Sequence, residues 1–262
     1  MGSATAQALT ASSSALTAAQ GITLDVAGEL FSATRLIGES TALSGALADP
    51  SAPVEARAAL VSRVFAGASP ITVSLLTTAV SQRWSSAADL VDGVEELAVR
   101  AAAISSPDAD IEGELFSVSR LVADNADLEL ALGGRLGGGE GKAALVQKLV
   151  GSSLHPATSL IVTSLVREPR GRRVRRLLSR AMRIVSAQRD RIVATVHTAA
   201  PLSAPQRDRL RVVLTGRYGR QIALNEVLDS AVVGGLRVQV ADDVIDGSIA
   251  ARLADLRQKL AG

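Results

Sequence analysis

Residues 28–36 read GELFSATRL, and residues 113–121 read GELFSVSRL. The likeness runs on without a gap. Over 28–65 and 113–150, 15 of 38 positions are identical at an offset of 85, among them Glu29, Leu30, Phe31, Leu36, Leu47, Ala58 and Val61. One insertion later, Pro70-x-Thr72 answers Pro156-x-Thr158. Internal self-similarity says that one structural unit was used twice. A catalytic apparatus gains little from doubling in one chain, whereas a grip or a spacer does, so the repeat points to binding and architecture.

Working outward, the periodicity is helical. Leu9 and Leu16 share a face of a Ser/Thr/Ala-rich first helix, and Leu30, Phe31, Thr34 and Ile37 mark the next. Asp49, Pro50, Ser51 and Pro53 make a turn. Ala56, Leu60 and Val64 line a further helix, Leu75, Leu76 and Ala79 another, and Leu90, Val94, Leu97 and Ala101 a last one. Short amphipathic helices bury their stripes against one another, giving a bundle over 1–105. The second bundle, 106–190, repeats the plan from its second helix, with Leu115, Phe116, Ser119 and Val122 in the stripe and glycines 133–141 as a helix-stopping turn. No counterpart of the first helix is evident there, and the helix over 88–103 is open to sharing.

The period changes after residue 190. Residues 191–199, RIVATVHTA, alternate like a strand. Ser203-x-x-Gln206 with Pro205 forms a capping box for a helix with Leu210, Val213 and Leu214 on its apolar face, ended by Gly219. Two more strands, 221–228 and 235–240, and a Leu-striped terminal helix through Ile249, Leu253, Leu256 and Leu260 complete 191–262. The fold class is therefore mostly α: two tandem N-terminal helical bundles and a small C-terminal α+β domain.

Composition narrows the chemistry. Of 262 residues 47% are hydrophobic but 2% aromatic, so the core must be built from Ala, Leu, Val and Ile. There is no cysteine, which excludes disulfides and thiolate sites. Every apolar run is interrupted before the ~20 residues a bilayer span needs, and the N-terminus carries no secretory pattern. His155 and His197 stand apart, no nucleophile motif occurs, and no metal or cofactor site is expected. Residues 138–143, GGEGKA, imitate a P-loop, but Leu136 stands where its first Gly is required and Ala143 where Ser or Thr is. That stretch reads as a helix-joining loop. Asp229 and Asp246 read as a turn and a cap.

Residues 167–191 carry ten arginines against Glu168 and Asp190, with Val174, Leu177, Leu178, Ala181, Ile184 and Val185 as the inner face. The matching helix of the first copy carries Asp89, Asp92, Glu95 and Glu96. Charge divergence of this kind tells the copies, or their partners, apart. Nucleic acid is not expected, because the aromatic platforms for stacking are absent.

The tail then supplies a resemblance. Ile222-x-Leu224-x-x-x-Leu228-Asp229-x-x-Val232-x-Gly234-Gly235-Leu236-x-Val238 resembles the signature of the delta subunit of F-type ATP synthases, the family of the mitochondrial oligomycin-sensitivity-conferring protein. Asp246, Gly247 and Ser248, ahead of the final stripe, resemble that family's ending, while Ala241 departs from its usual Gly. Each signature residue also has a folding role, the glycines permitting a sharp bend. The resemblance implies a non-catalytic stator subunit in the peripheral stalk, one copy per hetero-oligomeric complex, on the cytoplasmic face of the bacterial plasma membrane. Membrane association would come only through the complex. It resembles the long form of high-GC bacteria, whose bundle is doubled, with the b subunit as a separate chain. Its partners would be N-terminal helices of α subunits, held between the helix of Leu9 and Leu16 and that of Ile71, Leu75 and Ala79, and b subunits, held by the tail. There Ile249, Leu253, Leu256 and Leu260 either seal the domain or meet b. The alternative is a non-enzymatic scaffold that binds an acidic partner or nucleic acid through 167–191.

Overall fold

A computed structural model describes residues 2–133, 138–232, 234–240 and 243–247. Ala241, Ser248 and the stripe Ile249, Leu253, Leu256 and Leu260 lie outside the described residues. The chain divides into two compact units, 1–185 and 186–262.

The first unit is helical. Its elements are α1 (Ser3–Ala18), α2 (Leu24–Glu39), α3 (Thr41–Ala48), α4 (Val54–Val64), α5 (Pro70–Ser81), α6 (Ala87–Ser105), α7 (Ile111–Asp124), α8 (Ala126–Gly133), α9 (Gly138–Val150) and α10 (Pro156–Arg167), followed by α11 (Val174–Gln188), which continues to the start of the second unit. The repeat is visible in this order: α2 to α5 match α7 to α10. Starts are set by side chains that accept from otherwise orphaned backbone amides. Thr23, Ser40, Ser69, Ser86 and Asp110 do this for α2, α3, α5, α6 and α7. Pro70 and Pro156 sit in the first turns of α5 and α10, where no amide is needed. Both bundle copies contribute to one continuous core, from Leu16 and Leu30 through Leu97 to Leu115, Ile161 and Leu178, all essentially inaccessible.

α6 is the centre of this unit. It packs along α2 and also meets α1, α3, α5 and, from the second copy, α10. Small residues permit the close approach to α2: a Cβ on Gly38 would touch Val91 Cγ1 at 3.4 Å. On another side, Gly93 lies under the buried Trp84 ring so closely that a Cβ there would fall 2.2 Å from it. The indole Nε1–H donates to the Ala79 carbonyl at 2.8 Å, which fixes the ring.

Two helical readings of this unit need correction. α4 does not bury Ala56, Leu60 and Val64 as its face; Arg57 and Val61 are buried, Leu60 is half-buried, and Ala56 and Val64 are exposed. The face is rotated because the Arg57 guanidinium Nη1 donates to the carbonyls of Val80 (2.5 Å) and Gln82 (3.3 Å), satisfying the end of α5. The glycines from 138 onward are not loop: α9 begins at Gly138, and Lys142, in register with Arg57, is likewise buried. A P-loop needs its glycines in a turn, so the imitation fails structurally as well.

The second unit has β1 (Arg191–Thr198), α12 (Ala204–Tyr218), β2 (Gln221–Leu228), β3 (Leu236–Val240) and β4 (Asp243–Asp246). The sheet order is β2-β1-β3-β4. β1 and β2 are parallel, with Ala194 beside Leu224, so α12 is the crossover between them. β3 is antiparallel to β1 and β4 to β3. Gln206 Oε1 accepts from the Ser203 N–H at 2.8 Å and holds the start of α12. One sheet face, with Ala194, Val196, Ile222, Val238 and Val240, packs against Leu210, Leu214 and Tyr218 of α12. Val213 was expected on that face but is exposed; the buried stripe runs at spacing four from Leu210 to Tyr218. Asp246 belongs to β4, a strand the sequence reading missed, and pairs with Arg237.

Candidate partner interface

The repeated Glu of GELF does the same work twice. Glu29 accepts from the Ser69 N–H (3.0 Å), the Ser69 hydroxyl (2.7 Å) and the Thr72 hydroxyl (2.5 Å), at the start of α5. Glu114 accepts from the His155 N–H at 3.1 Å with both oxygens, at the start of α10. A carboxylate suits a helix N-terminus, where amide dipoles converge. Burial is the largest single influence on the Glu29 carboxyl and acts upward. The hydrogen bonds from Thr72 and Ser69 together outweigh it and hold the group below the usual carboxylate range.

The charge divergence of the copies is resolved inside the chain. Arg172 grips Glu95 with two bonds, Nη1 to Oε1 at 2.9 Å and Nη2 to Oε2 at 2.7 Å. Arg170 reaches Asp92 at 2.8 Å and Glu95 at 2.5 Å. Arg180 adds Asp92 and Glu96, and Glu96 also takes Arg100 at 2.8 Å. The cluster is desolvated, the Glu95 side chain being 7% exposed. Desolvation, the largest effect on both arginines, acts downward and leaves Arg170 lowered, with Arg172 and Arg180 adding like charge. In Arg172 the hydrogen bonds to Glu95 overcome it, and its value is raised. A guanidinium stays charged throughout this range. Arg170 holds a positive φ of 47°, an uncommon conformation for a residue with a Cβ, and Gly171 follows at 73°. Further along, Arg167 pairs with Glu140 and Arg175 with Glu129. Arg173, Arg176 and Arg183 are exposed. An acidic partner for this segment thus exists in the molecule itself: the last helix of the first copy.

The residues expected to hold an α-subunit helix lie where α1 meets α5. Leu16, Leu75 and Ala79 are closed into the core, while Leu9 and Ile71 stay half-buried beside them. The positions in register in the second copy, Val94 and Ala101 of α6 and Ala157, Ile161 and Leu165 of α10, are all buried. The helical unit also carries a cleft of about 840 Å³, with Leu36, Val64 and Phe65 on one side and Leu160, Ser164 and Arg167 of α10 on the other. Another, about 860 Å³, lies among the starts of α1 and α6 and the end of α3. Among the described residues no group of three or more His, Asp or Glu is placed to hold a metal ion, and no helix is long and apolar enough to cross a membrane.

In the second unit the signature residues build the passage from β2 past the end of β1 to β3. Leu228 is exposed at the end of β2. Asp229 N–H donates to the Thr198 carbonyl, and its Oδ1 accepts from the Ala231 N–H, both at 2.9 Å. Gly234 (φ 60°) and Gly235 (φ 126°) take conformations that favour glycine before Leu236 enters β3. Gly247 N–H returns to the Leu236 carbonyl at 2.9 Å, closing the β3–β4 hairpin. His197 Nδ1 stands 3.6 Å from Asp229 Oδ2. The outer side of α12 exposes Val212 and Val213, apolar positions that the sequence reading left unassigned or placed in the core. Their surplus over the Leu210–Leu214–Tyr218 stripe was the available signal.

A tandem helical unit is followed by an α+β unit that carries the signature residues. The family model of the ATP synthase delta (OSCP) subunit matches residues 96–260. The chain is 44% identical to the ATP synthase subunit delta of Leifsonia xyli subsp. xyli over 265 residues, covering 100% of each. It is 41% identical to that of Streptomyces avermitilis, over 91% of this chain and 89% of the relative. For Streptomyces griseus the values are 38%, 90% and 89%. The chain belongs to the ATP synthase delta (OSCP) subunit family. The family match begins in α6 and continues through the second copy and the tail.

Proposed function

We propose that this chain is the non-catalytic stator subunit of an F-type proton-translocating ATP synthase, tying the α/β head to the b subunits in the peripheral stalk. Held in this way, the head does not turn with the rotor, and torque is used to make ATP. The subunit would sit at the cytoplasmic face of the bacterial plasma membrane and reach it only through the complex. The observation that carries the reading is its end-to-end relationship with proteins named ATP synthase subunit delta.

The first copy is the better candidate for an α-subunit N-terminal helix. Its α1–α5 surface keeps Leu9 and Ile71 partly accessible, whereas Val94 and Ala157 in register are fully buried. Helix-in-groove docking needs apolar anchors that a partner can reach. The b subunits fall to the tail, with the exposed Val212 and Val213 of α12 as candidate anchors in addition to the sequence stripe of Ile249, Leu253, Leu256 and Leu260.

Affinity purification through this chain tests the reading: α, β, γ and b subunits should co-purify. Recovery without them, together with steeply salt-dependent nucleic-acid binding, would favour the scaffold alternative. Truncation after Asp246 should remove b while leaving the helical unit folded, and retained b would overturn the assignment of the terminal stripe.

A further inference from the structure

α11 turns arginines outward along one line. Arg173, just ahead of the helix, is followed by Arg176, Arg180, Arg183 and Ala187 at spacings of three, four, three and four. That is the spacing by which one helix lies lengthwise along another. The buried side, with Val174, Leu178, Ala181 and Val185, is opposite. Arg180 leans back to Asp92, Glu95 and Glu96 of α6. Arg173, Arg176 and Arg183 are exposed, and none has a carboxylate partner among the described residues. Exposed arginines elsewhere, such as Arg35, Arg120, Arg207 and Arg217, each pair with a carboxylate of this chain.

The arrangement is unfavourable in the chain alone. α2, α4, α6 and α9 place an acid in the first turn: Asp25, Glu55, Asp89 and Glu140. α11 has none, and Arg175 and Arg176 stand in its first turn instead. The positive end of the helix dipole repels them. Glu129, at 3.1 Å, offsets Arg175, while Arg176 goes without. From Arg173 to Arg183 the line runs about 15 Å, and residues 173–183 include no acid.

What complements such a line is visible on its inner flank. There Asp92, Glu95 and Glu96, at i, i+3 and i+4 of α6, take Arg172 and Arg180. α11 thus already docks one acidic helix, and its outer line offers the same chemistry a second time. We propose that this outer line lies along an acidic helix of another subunit of the complex, whose Asp or Glu residues recur three, four or seven apart. The inference rests on the stator reading only for the partner being a fellow subunit. It uses neither the α1–α5 surface nor the tail.

The test is the double reversal Arg176→Glu with Arg183→Glu in the full chain, with Arg63→Glu at an exposed position of α4 as control. The isolated double variant should melt no lower than wild type, because an acid replaces a cation in the first turn. In the purified complex it should weaken retention of one subunit about tenfold. A photoreactive benzoyl-phenylalanine in place of Arg183 should crosslink to an acidic helical peptide of that subunit, and changing the crosslinked carboxylates to Arg should restore retention of the double variant. Retention no weaker than with Arg63→Glu, or no restoration by the charge swap, would overturn the proposal. So would crosslinking to lipid, nucleic acid, a second copy of this chain or residues 248–262. Wild-type chain that brings down α and b subunits while the reversal changes nothing sinks this inference alone; wild-type chain that brings down neither sinks the stator reading and this inference with it.

Discussion

The two helical copies began from one plan and now differ most where they meet. In the first, α6 lies close to α2 because Gly38 leaves room for Val91, and Gly93 on another side makes room for Trp84. In the second, the matching helix α11 carries Leu177, Leu178, Met182 and Ile184 on its buried face, with arginines outside. One copy contributes an acidic last helix, the other a basic one, and the charges close on each other through Glu95 with Arg170 and Arg172, just ahead of the basic helix, and Arg180 within it. Divergence after duplication here created a joint. Sequence drift between repeats reads as relaxation until the pairing partner is known; then it reads as complementarity.

If the copies truly share one core, the largest effects should not respect the repeat boundary. Leu30→Ala and Leu115→Ala each remove a fully buried side chain and should each cost about 3 kcal/mol. Both should lower a single unfolding transition of the helical unit in calorimetry. Two separated transitions, each sensitive to one substitution, would break the comparison. Gly93→Ala should cost about 1–3 kcal/mol, because Trp84 cannot move away without surrendering its bond to Ala79. Alanine at Gly28, where a Cβ meets nothing within 4 Å, is the control and should be mild.

The joint comes next. Glu95→Gln leaves Arg170 and Arg172 short of their main counter-charge and should cost about 2 kcal/mol, below the range for fully buried pairs because both arginines are partly solvated. Adding Arg172→Gln should recover part of that loss; strict additivity would mean that the two do not act together. The smallest effect contrasts the duplicated carboxylates. Glu29→Gln should cost about 1–2 kcal/mol and Glu114→Gln less, since Glu29 holds three donors and Glu114 one. Glu29 also gives a sign to pH dependence. Its folded pKa lies below the ordinary 4.5, so its stabilisation is complete above that value and is lost as pH falls through the lower folded one. Urea melts of the wild type and Glu29→Gln should therefore converge at acid pH.

Much of this fold was legible in the sequence. Helical spacing placed Leu30 and Ile37, Leu75 and Ala79, and Leu177 and Val185 in the core, and alternation placed β1 and β2. The failures have separate causes. Arg57 is charged, so a reading by hydrophobicity assigned it to solvent, and the face of α4 turned with it. Val213 looked like core, but α12 has one sheet to cover and Leu210, Leu214 and Tyr218 cover it. β4 is four residues long, too short for its alternation to show. The joint was half-legible: the opposite charges could be seen, but the fact that they lie within one molecule depends on contacts about eighty residues apart.

The use of α6 by both copies also sets the chain's arithmetic. α1 spans Ser3–Ala18, and adding 85 to each number lands inside α6, Ala87–Ser105. One helix thus closes one bundle and opens the next, and a further copy adds five helices instead of six. Lengthening or shortening such a subunit by recombination is then in frame only in whole steps of this period, wherever within the repeat the breakpoints fall.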